Sequence, residues 1–305
     1  MTAPVLLNPP AARLGTINAV MGAAGRTEHH VERFTGPLSI KFMVRGSGTW
    51  RTGARVHRLD EGWFLVLNHG QTYSLDIEGG APRESFCPFF RRGFVEDIHR
   101  AWTTPEARLL DDPAAPPAAL GFHEHLHPAD RRVVPRLLEL RRRVYDEAAD
   151  GAGSEPTFVA LGEALLLHAL IDLPAHIARV PAARAATRAE CHRRLARAQD
   201  YLHANAYRAI TLDELAAVAC MSPYHFHRRF RALHGTTPHQ YQTRLRLAHA
   251  RRLLLDTERS ITEIALAVGF DSPAAFSRRF RRSFGVAPAG FRAARFRKNG
   301  KAPDG

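Results

Sequence analysis

The sequence predicts an α+β chain of two domains. A β-rich barrel followed by helices should fill residues 1–183, and an all-α domain with two helix-turn-helix units joined by a long helix should fill 184–305. Three observations predict this. Residues 210–297 say nearly the same thing twice at an offset of 50 residues; residues 31–93 are short β-rich runs broken by glycine; and the net positive charge lies wholly in the repeated half. Of the net +13, residues 184–305 carry +14, from 23 Lys+Arg against 9 Asp+Glu, and the remainder carries −1.

The repeat is specific in residue type. Phe226, Arg228, Arg229, Phe230, Arg231, Gly235, Pro238 and Tyr241 are answered by Phe276, Arg278, Arg279, Phe280, Arg281, Gly285, Pro288 and Phe291. Two copies are too few for a solenoid, so this is a duplicated small module. Each copy reads as two short helices meeting at a turn. Thr211 with Glu214, and Ser260 with Glu263, have the spacing of a capping box, which satisfies amides that an opening helical turn leaves unpaired. Ser222-Pro223 and Ser272-Pro273 then restart a helix, serine being a favoured N-cap and proline suited to the first helical position. The two units are expected over about 211–233 and 261–284, with the second turn one residue longer.

In the second helix of each copy, aromatic residues four apart make a core face while arginines stand between them. One such helix would be an ordinary solvated surface; two, each after a capped turn, point to a shared anionic ligand. Residues 237–255 read as the rod between them. About 18 residues at roughly 1.5 Å each give about 27 Å, enough to hold two reading helices near one turn of duplex DNA. A basic domain can also bind acidic lipid or protein, but the paired modules select double-stranded DNA.

These residues resemble the DNA-binding domain of the AraC/XylS (arabinose-regulator) family of bacterial transcription regulators, over about 187–297. The matching pieces include Leu215-Ala216, Met221-Ser222-Pro223-Tyr224-His225-Phe226, Gly235-Thr236-Thr237-Pro238, Arg246, Val268-Gly269-Phe270 and Phe276-Ser277-Arg278. The resemblance implies that Tyr224, His227 and Arg228 in the first reading helix, and Ala274, Ser277 and Arg278 in the second, face base edges. Ser222, His225, Arg231 and Arg281 complete the expected DNA-binding set. Ala274 departs from the longer polar residues common at its position and could touch a thymine methyl. The resemblance further implies a homodimer, an effector, and RNA polymerase as a partner if the protein activates.

In the first half, residues 1–30 lack a clear period and are expected to be a partly ordered arm. Runs at 38–44, 48–50, 56–59, 63–67 and 73–77, eight to ten residues apart, predict a sandwich or barrel over about 30–127. The segment 59–73, with Asp60-Glu61-Gly62-Trp63 and Asn68-His69-Gly70, resembles the cupin-like sensing domain that often precedes this DNA-binding domain. Phe42, Trp50, Trp63 and Tyr73 are the candidate lining of an effector pocket. Residues 105–117 read as a loop, and helices are expected over about 131–180, at 133–145 and 158–177. Gly151-Ala152-Gly153-Ser154 separates these two, and 181–184 is the expected hinge. Thr187 and Glu190 are expected to cap the first helix of the second half, and 298–305 to be a frayed tail.

Two enzymatic alternatives are weighed. Cupin enzymes need a histidine and carboxylate ligand set; His57 and His69 do not supply one, and the nearest candidate is His123, His125 and His127, which would share one face of a strand. Cys191, within Glu190-Cys191-His192-Arg193, resembles the methyl-accepting site of alkyl-transfer repair regulators, but glutamate stands where those have proline. No cofactor is therefore expected. The absence of a long apolar run, of a signal peptide pattern and of a paired cysteine framework among Cys87, Cys191 and Cys220 leads to the expectation of a cytoplasmic, nucleoid-associated protein.

Overall fold

A computed structural model of the chain describes residues 6–112, 116–145, 155–182 and 184–298. The expected 151–154 linker and most of the 298–305 tail lie outside the described residues. The chain divides between Arg179 and Val180 into two units.

The first unit contains two sheets and a helical layer. Strands β1 (Leu6–Leu7), β2 (Ala19–Gly25), β4 (Ser39–Arg45), β7 (Trp63–Leu67), β9 (Arg83–Phe89) and β10 (Leu126–Pro128) form a six-stranded sheet in the order β1-β2-β9-β4-β7-β10, antiparallel except at the β1–β2 edge. Strands β3 (His29–Thr35), β5 (Ser47–Thr52), β6 (Arg55–Asp60) and β8 (Thr72–Ile77) form an antiparallel sheet in the order β3-β8-β5-β6. Met43, Trp50, Leu59, Leu65, Tyr73, Leu75 and Phe89 fill the space between the sheets. The other face of the larger sheet packs against α1 (Phe94–Thr103), α3 (Val133–Tyr145) and α4 (Glu155–Leu167) through Ile40, Phe42, Phe64, Phe90, Leu137, Phe158 and Leu161. β4 is thus covered on both sides, which is why it reads as a continuous apolar run rather than an alternation.

The expected arm over residues 1–30 is in part strand. β2 pairs with β9 from Ala19↔Phe89 to Gly25↔Arg83. Gly22 lies on β2 because the Tyr145 hydroxyl of α3 would stand 2.0 Å from any Cβ there. The expected loop at 105–117 includes α2 (Glu106–Asp111). The strand expected over 120–127 is only β10. Residues ahead of it run outside any ladder because Asn68 clamps them: its side-chain amide donates to Phe122 O at 2.8 Å, its Oδ1 accepts from Phe122 N–H at 2.8 Å, and its own N–H donates to Glu124 at 3.0 Å.

Residues 155–177 form one continuous helical run, α4 passing through a π turn at His168–Asp172 into α5 (Leu173–Ile177). By length and composition alone it could cross a bilayer. Its Phe158, Leu161, Leu165 and Leu166 are instead core residues against the sheet.

The second unit is all-helical: α6 (Ala185–Ala204), α7 (Leu212–Val218), α8 (Pro223–His234), α9 (Pro238–Asp256), α10 (Ile261–Ala267), α11 (Pro273–Phe284) and α12 (Pro288–Lys298). α6 begins at Ala185, ahead of the expected cap Thr187, with Arg184 at its N-cap. Thr187 and Glu190 therefore do not cap it; Glu190 sits inside the helix and pairs with Arg193 and Arg194. The other expected caps form, except that the Thr211–Glu214 box is only half made, with Thr211 accepting while the Glu214 carboxylate turns to other partners. Ser260 and Glu263 make a full reciprocal box, Ser222 and Ser272 cap α8 and α11, and Thr211 accepts from the Glu214 amide at 3.1 Å. Thr237 and Gln240 add a box at the start of α9. The Glu214 carboxylate also binds Arg208 and Tyr201, and those hydrogen bonds hold it down to about 2.

Both turns are built alike. The Met221 amide donates to Ala216 O and the Phe270 amide to Ala265 O, each at 2.9 Å, and the residue before each donor, Cys220 or Gly269, has positive φ, at 51° and 84°. This is the αL closure of a helix end. The extra residue of the second turn is Asp271, after the closure.

Candidate nucleic-acid interface

Each reading helix separates its core from its charge by face. On α8, Phe226, Phe230 and Leu233 are buried while Tyr224, Arg228 and Arg231 are exposed, Tyr224 at 69%. Phe230 packs edge-on to Tyr241 of α9 at 5.5 Å. On α11, Phe276 and Phe280 are buried while Ala274, Arg278 and Arg281 are exposed. Residues spaced by four and seven positions share a helix face, so the two exposed sets are two separate ridges. His225 is exposed, and His227 and Ser277 are half-buried. Ser222 is exposed too, but its hydroxyl accepts from the His225 amide at 3.4 Å, so its first role is to cap.

Beside the α11 ridge lies an open cleft of about 640 Å³, lined by Arg278, Arg279 and Arg282 of α11, Arg244 of α9, and Thr236 and Gln240. Arg278 thus borders a basic hollow as well as its own helix face. Arg244 is a cation of this cleft that reading the repeats missed, because it belongs to the rod between the copies and has no counterpart in them.

The rod is also a fastener. From α9, Arg246 donates through Nε to Ala206 O at 2.7 Å, through Nη2 to Arg208 O at 2.8 Å, and through Nη1 to Gly269 O. Gln242 adds bonds to Ala206 O at 3.0 Å and Arg208 O at 2.8 Å. One guanidinium therefore ties the loop before the first helix-turn-helix and the turn of the second to the same helix.

Comparisons with known proteins agree with this geometry. Residues 215–294 match the helix-turn-helix domain family, and residues 21–143 match the AraC-like ligand binding domain family. The "HTH-type transcriptional regulator ArgR" of Pseudomonas aeruginosa is 38% identical over 97 residues, 32% of this chain and 30% of that protein. The chain thus covers only about a third of the length of that curated relative. The "Probable transcription factor PqrA" of Proteus vulgaris is 37% identical over 95 residues, 31% of this chain and 74% of that protein. The chain belongs to the AraC family of transcriptional regulators. A solved transcriptional regulator from Chromobacterium violaceum is 36% identical, over 35% of this chain and 96% of that one, with a TM-score of 0.33.

Within the AraC-like ligand domain the expected pocket residues separate. Trp50 and Tyr73 face the space between the sheets, with Trp63 half-buried beside it. Phe42 does not join them: it is even-numbered on β4 beside odd-numbered Lys41 and Met43, so it points into the layer against the helices. Lys41 is the residue that sequence reading passed over. It is fully buried, donates to the Tyr73 hydroxyl at 3.0 Å, and lies 3.8 Å and 4.4 Å from the Phe89 and Tyr73 ring centres. Burial pushes its ammonium down to about 8. The signal was there, a lone lysine inside the apolar run 38–44.

That shift gives a stability prediction. A depressed lysine contributes least below its folded value and progressively more as pH rises, since the unfolded chain then holds the proton that the folded one releases. Lys41→Met should therefore be more stable than the parent at pH 7, by about 2 kcal/mol after allowing for the lost Tyr73 bond. The gap should close between about 8 and the ordinary 10.5. Thermal melts across that range check the sign.

The three histidines do not share a strand face. The His125 ring stacks on His127 at 4.2 Å, while His127 stacks on Phe64 at 5.1 Å. Both His127 nitrogens are engaged, Nε2 with His123 O and Nδ1 with His168 Nε2, each at 3.0 Å. His168 Nδ1 in turn meets Asp130 at 2.7 Å. Burial holds His127 well below the ordinary imidazole range, so it is a neutral link in a chain of hydrogen bonds. These partners, rather than an ion, satisfy His127. Cys191 is buried within α6.

Proposed function

We propose that this AraC-family chain is a sequence-specific transcriptional regulator with an effector-sensing unit over residues 1–183 and a DNA-reading unit over 184–305. α8 and α11 enter successive major-groove segments of one face of double-stranded operator DNA. The observation that carries the reading is the pair of exposed arginine ridges on α8 and α11, both anchored to α9. Arg228 and Arg278 read bases, guanine being the commonest arginine partner, with Tyr224, His227, Ser277 and Ala274 beside them. Arg231, Arg281, Arg244, Arg279 and Arg282, with Ser222 and His225 at the start of α8, lie against the phosphates and make affinity fall with salt.

A small-molecule effector binds the first unit. The protein works as a cytoplasmic, nucleoid-associated homodimer, for which the exposed Leu138, Leu170 and Ile171 of the α3 and α4–α5 helices supply apolar surface. As an activator it would also meet RNA polymerase.

Selection of genomic fragments on the purified protein, followed by footprinting, tests this reading. On the selected operator, Arg228→Ala or Arg278→Ala should each cost about 1–3 kcal/mol and relax one base position. Equal weakening on operator and random DNA would make them phosphate contacts instead.

A further inference from the structure

The histidine chain that ends on Asp130 has a direction, and the direction leaves a gap. His123 O can only accept, so His127 Nε2 carries the proton between them. Two neutral imidazoles then complete the chain in one way: His168 Nε2–H donates to His127 Nδ1, and His168 Nδ1 keeps a bare lone pair. That lone pair stands 2.7 Å from Asp130 Oδ2, a second acceptor. Both atoms are shut off from solvent, and among the described residues the polar partner of each is the other. Asp130 is held in place, because its Oδ1 accepts from the Arg132 and Val133 amides at 3.1 Å and 2.7 Å at the start of α3. Two buried acceptors in contact repel, and a positive charge between them closes the chain.

A proton on Nδ1 balances one carboxylate, but a second carboxylate faces the same point. Asp172 is four residues beyond His168 in the π turn, the spacing that sets two side chains on one helix face. Such turns inside α-helices are frequent at functional sites. The ligand atoms of Asp130, His168 and Asp172 all lie within 4.8 Å of one another. Asp172 Oδ2 accepts from Arg132 Nε at 2.6 Å, which leaves its Oδ1 for the site. Bonds of roughly 2.0–2.1 Å place tetrahedral ligands about 3.3 Å apart. His168 Nδ1 and Asp130 Oδ2 therefore part by about 0.6 Å from their 2.7 Å contact, and Asp172, whose side chain is 38% exposed, closes in.

We propose that Asp130, His168 and Asp172 form a binding site for a divalent transition-metal cation, zinc above all, where the chain after β10 and the start of α3 meet the π turn. One imidazole and two carboxylates suit zinc, with the fourth position left to water. Behind the site stands the support that a ligating histidine needs: His168 gives its other N–H to His127, which is itself fixed by His123 O and stacked on Phe64. Phe64 belongs to the helical side of the larger sheet, so the site lies outside the space between the two sheets. The cation fastens together segments about 40 residues apart, and the proposal does not depend on the DNA reading.

The full chain, stripped with EDTA and dialysed, is titrated calorimetrically with zinc chloride and followed by thermal melts, with magnesium and calcium chloride as comparisons. One zinc per chain should bind with a Kd of about 10 µM or below and raise the melting temperature, while magnesium and calcium should not. Asp172→Asn removes a ligand and an exposed ion pair but leaves the His168–Asp130 pair intact. It should weaken zinc at least tenfold while melting as the parent does without metal. Asp130→Asn keeps an oxygen for the two amides and should weaken zinc as much. His123→Ala takes away a nearby imidazole outside the site and should bind zinc as the parent does. The assignment is overturned if zinc binds more weakly than stated, if Asp172→Asn binds it as tightly as the parent, if His123→Ala abolishes binding, or if magnesium or calcium binds equally well. Failure on either of the first two counts would make a proton on His168 Nδ1 the closing charge.

Discussion

Replacing Gly269 by alanine should unfold the second helix-turn-helix, with a loss of about 3 kcal/mol or more. Two independent costs add. The backbone there has φ of 84°, which side chains with a Cβ rarely adopt, and an added Cβ would stand 2.2 Å from the Tyr207 carbonyl oxygen. That carbonyl belongs to backbone pinned by Arg246 and Gln242 on both sides of Tyr207, so it has little room to retreat. Operator binding should fall to the level of one reading helix. The equivalent change in the first copy has the opposite sign. Cys220 already holds a positive φ with a side chain, so Cys220→Gly should stabilise by roughly 0.5–1 kcal/mol. Urea unfolding of the two variants checks both; a Gly269→Ala midpoint equal to the parent's would mean the turn is looser than the geometry implies.

Removing the Arg246 side chain should cost about 3 kcal/mol, because charge-assisted bonds to three backbone carbonyls are lost and some of those carbonyls are left dry. The larger consequence is for recognition. Without the guanidinium, the loop before the first unit and the turn of the second are no longer tied to the same helix, and the two ridges lose their fixed spacing. Affinity for an operator with both subsites should fall by about 100-fold, whereas affinity for one subsite should change little. Arg246→Lys should recover only part of this, since an ammonium cannot span three carbonyls set for a planar fork. Gel-shift titrations on full and half operators separate the effects; equal losses on both would make Arg246 a stability residue alone.

Much of the second unit was legible because its signals are local. A serine, a proline and a carboxylate three residues on identify a helix start whatever lies elsewhere, and duplication repeats the message. Arg246 was legible as a motif residue but not as a fastener, since its acceptors are backbone carbonyls about 40 and 23 residues away. In the first unit, β4 and β7 were legible from their apolar runs. β2 was not: Ala-Val-Met-Gly-Ala-Ala-Gly has little strand preference, and its pairing comes from β9, 58 to 70 residues on. The histidine cluster failed as a strand because Asn68 holds that segment off the ladder, and its closing member, His168, comes from a helix. The layer that Phe42 joins was not legible, because alternation cannot say which face is inner when both faces of a strand are buried. Lys41 was visible but unread, since no local rule distinguishes a lysine pointing inward from one that snorkels out.

The central claim is that two reading helices on one linker grip a single face of duplex DNA one turn apart. Binding to a selected operator, compared with variants carrying insertions of about 5 and about 10 base pairs between its two subsites, tests it most directly. The account predicts two protected segments on one face of the parent operator, and affinity for both insertions reduced to that of a half-site, because α9 has fixed length. Equal affinity for all three DNAs, or protection of a single segment, would contradict it.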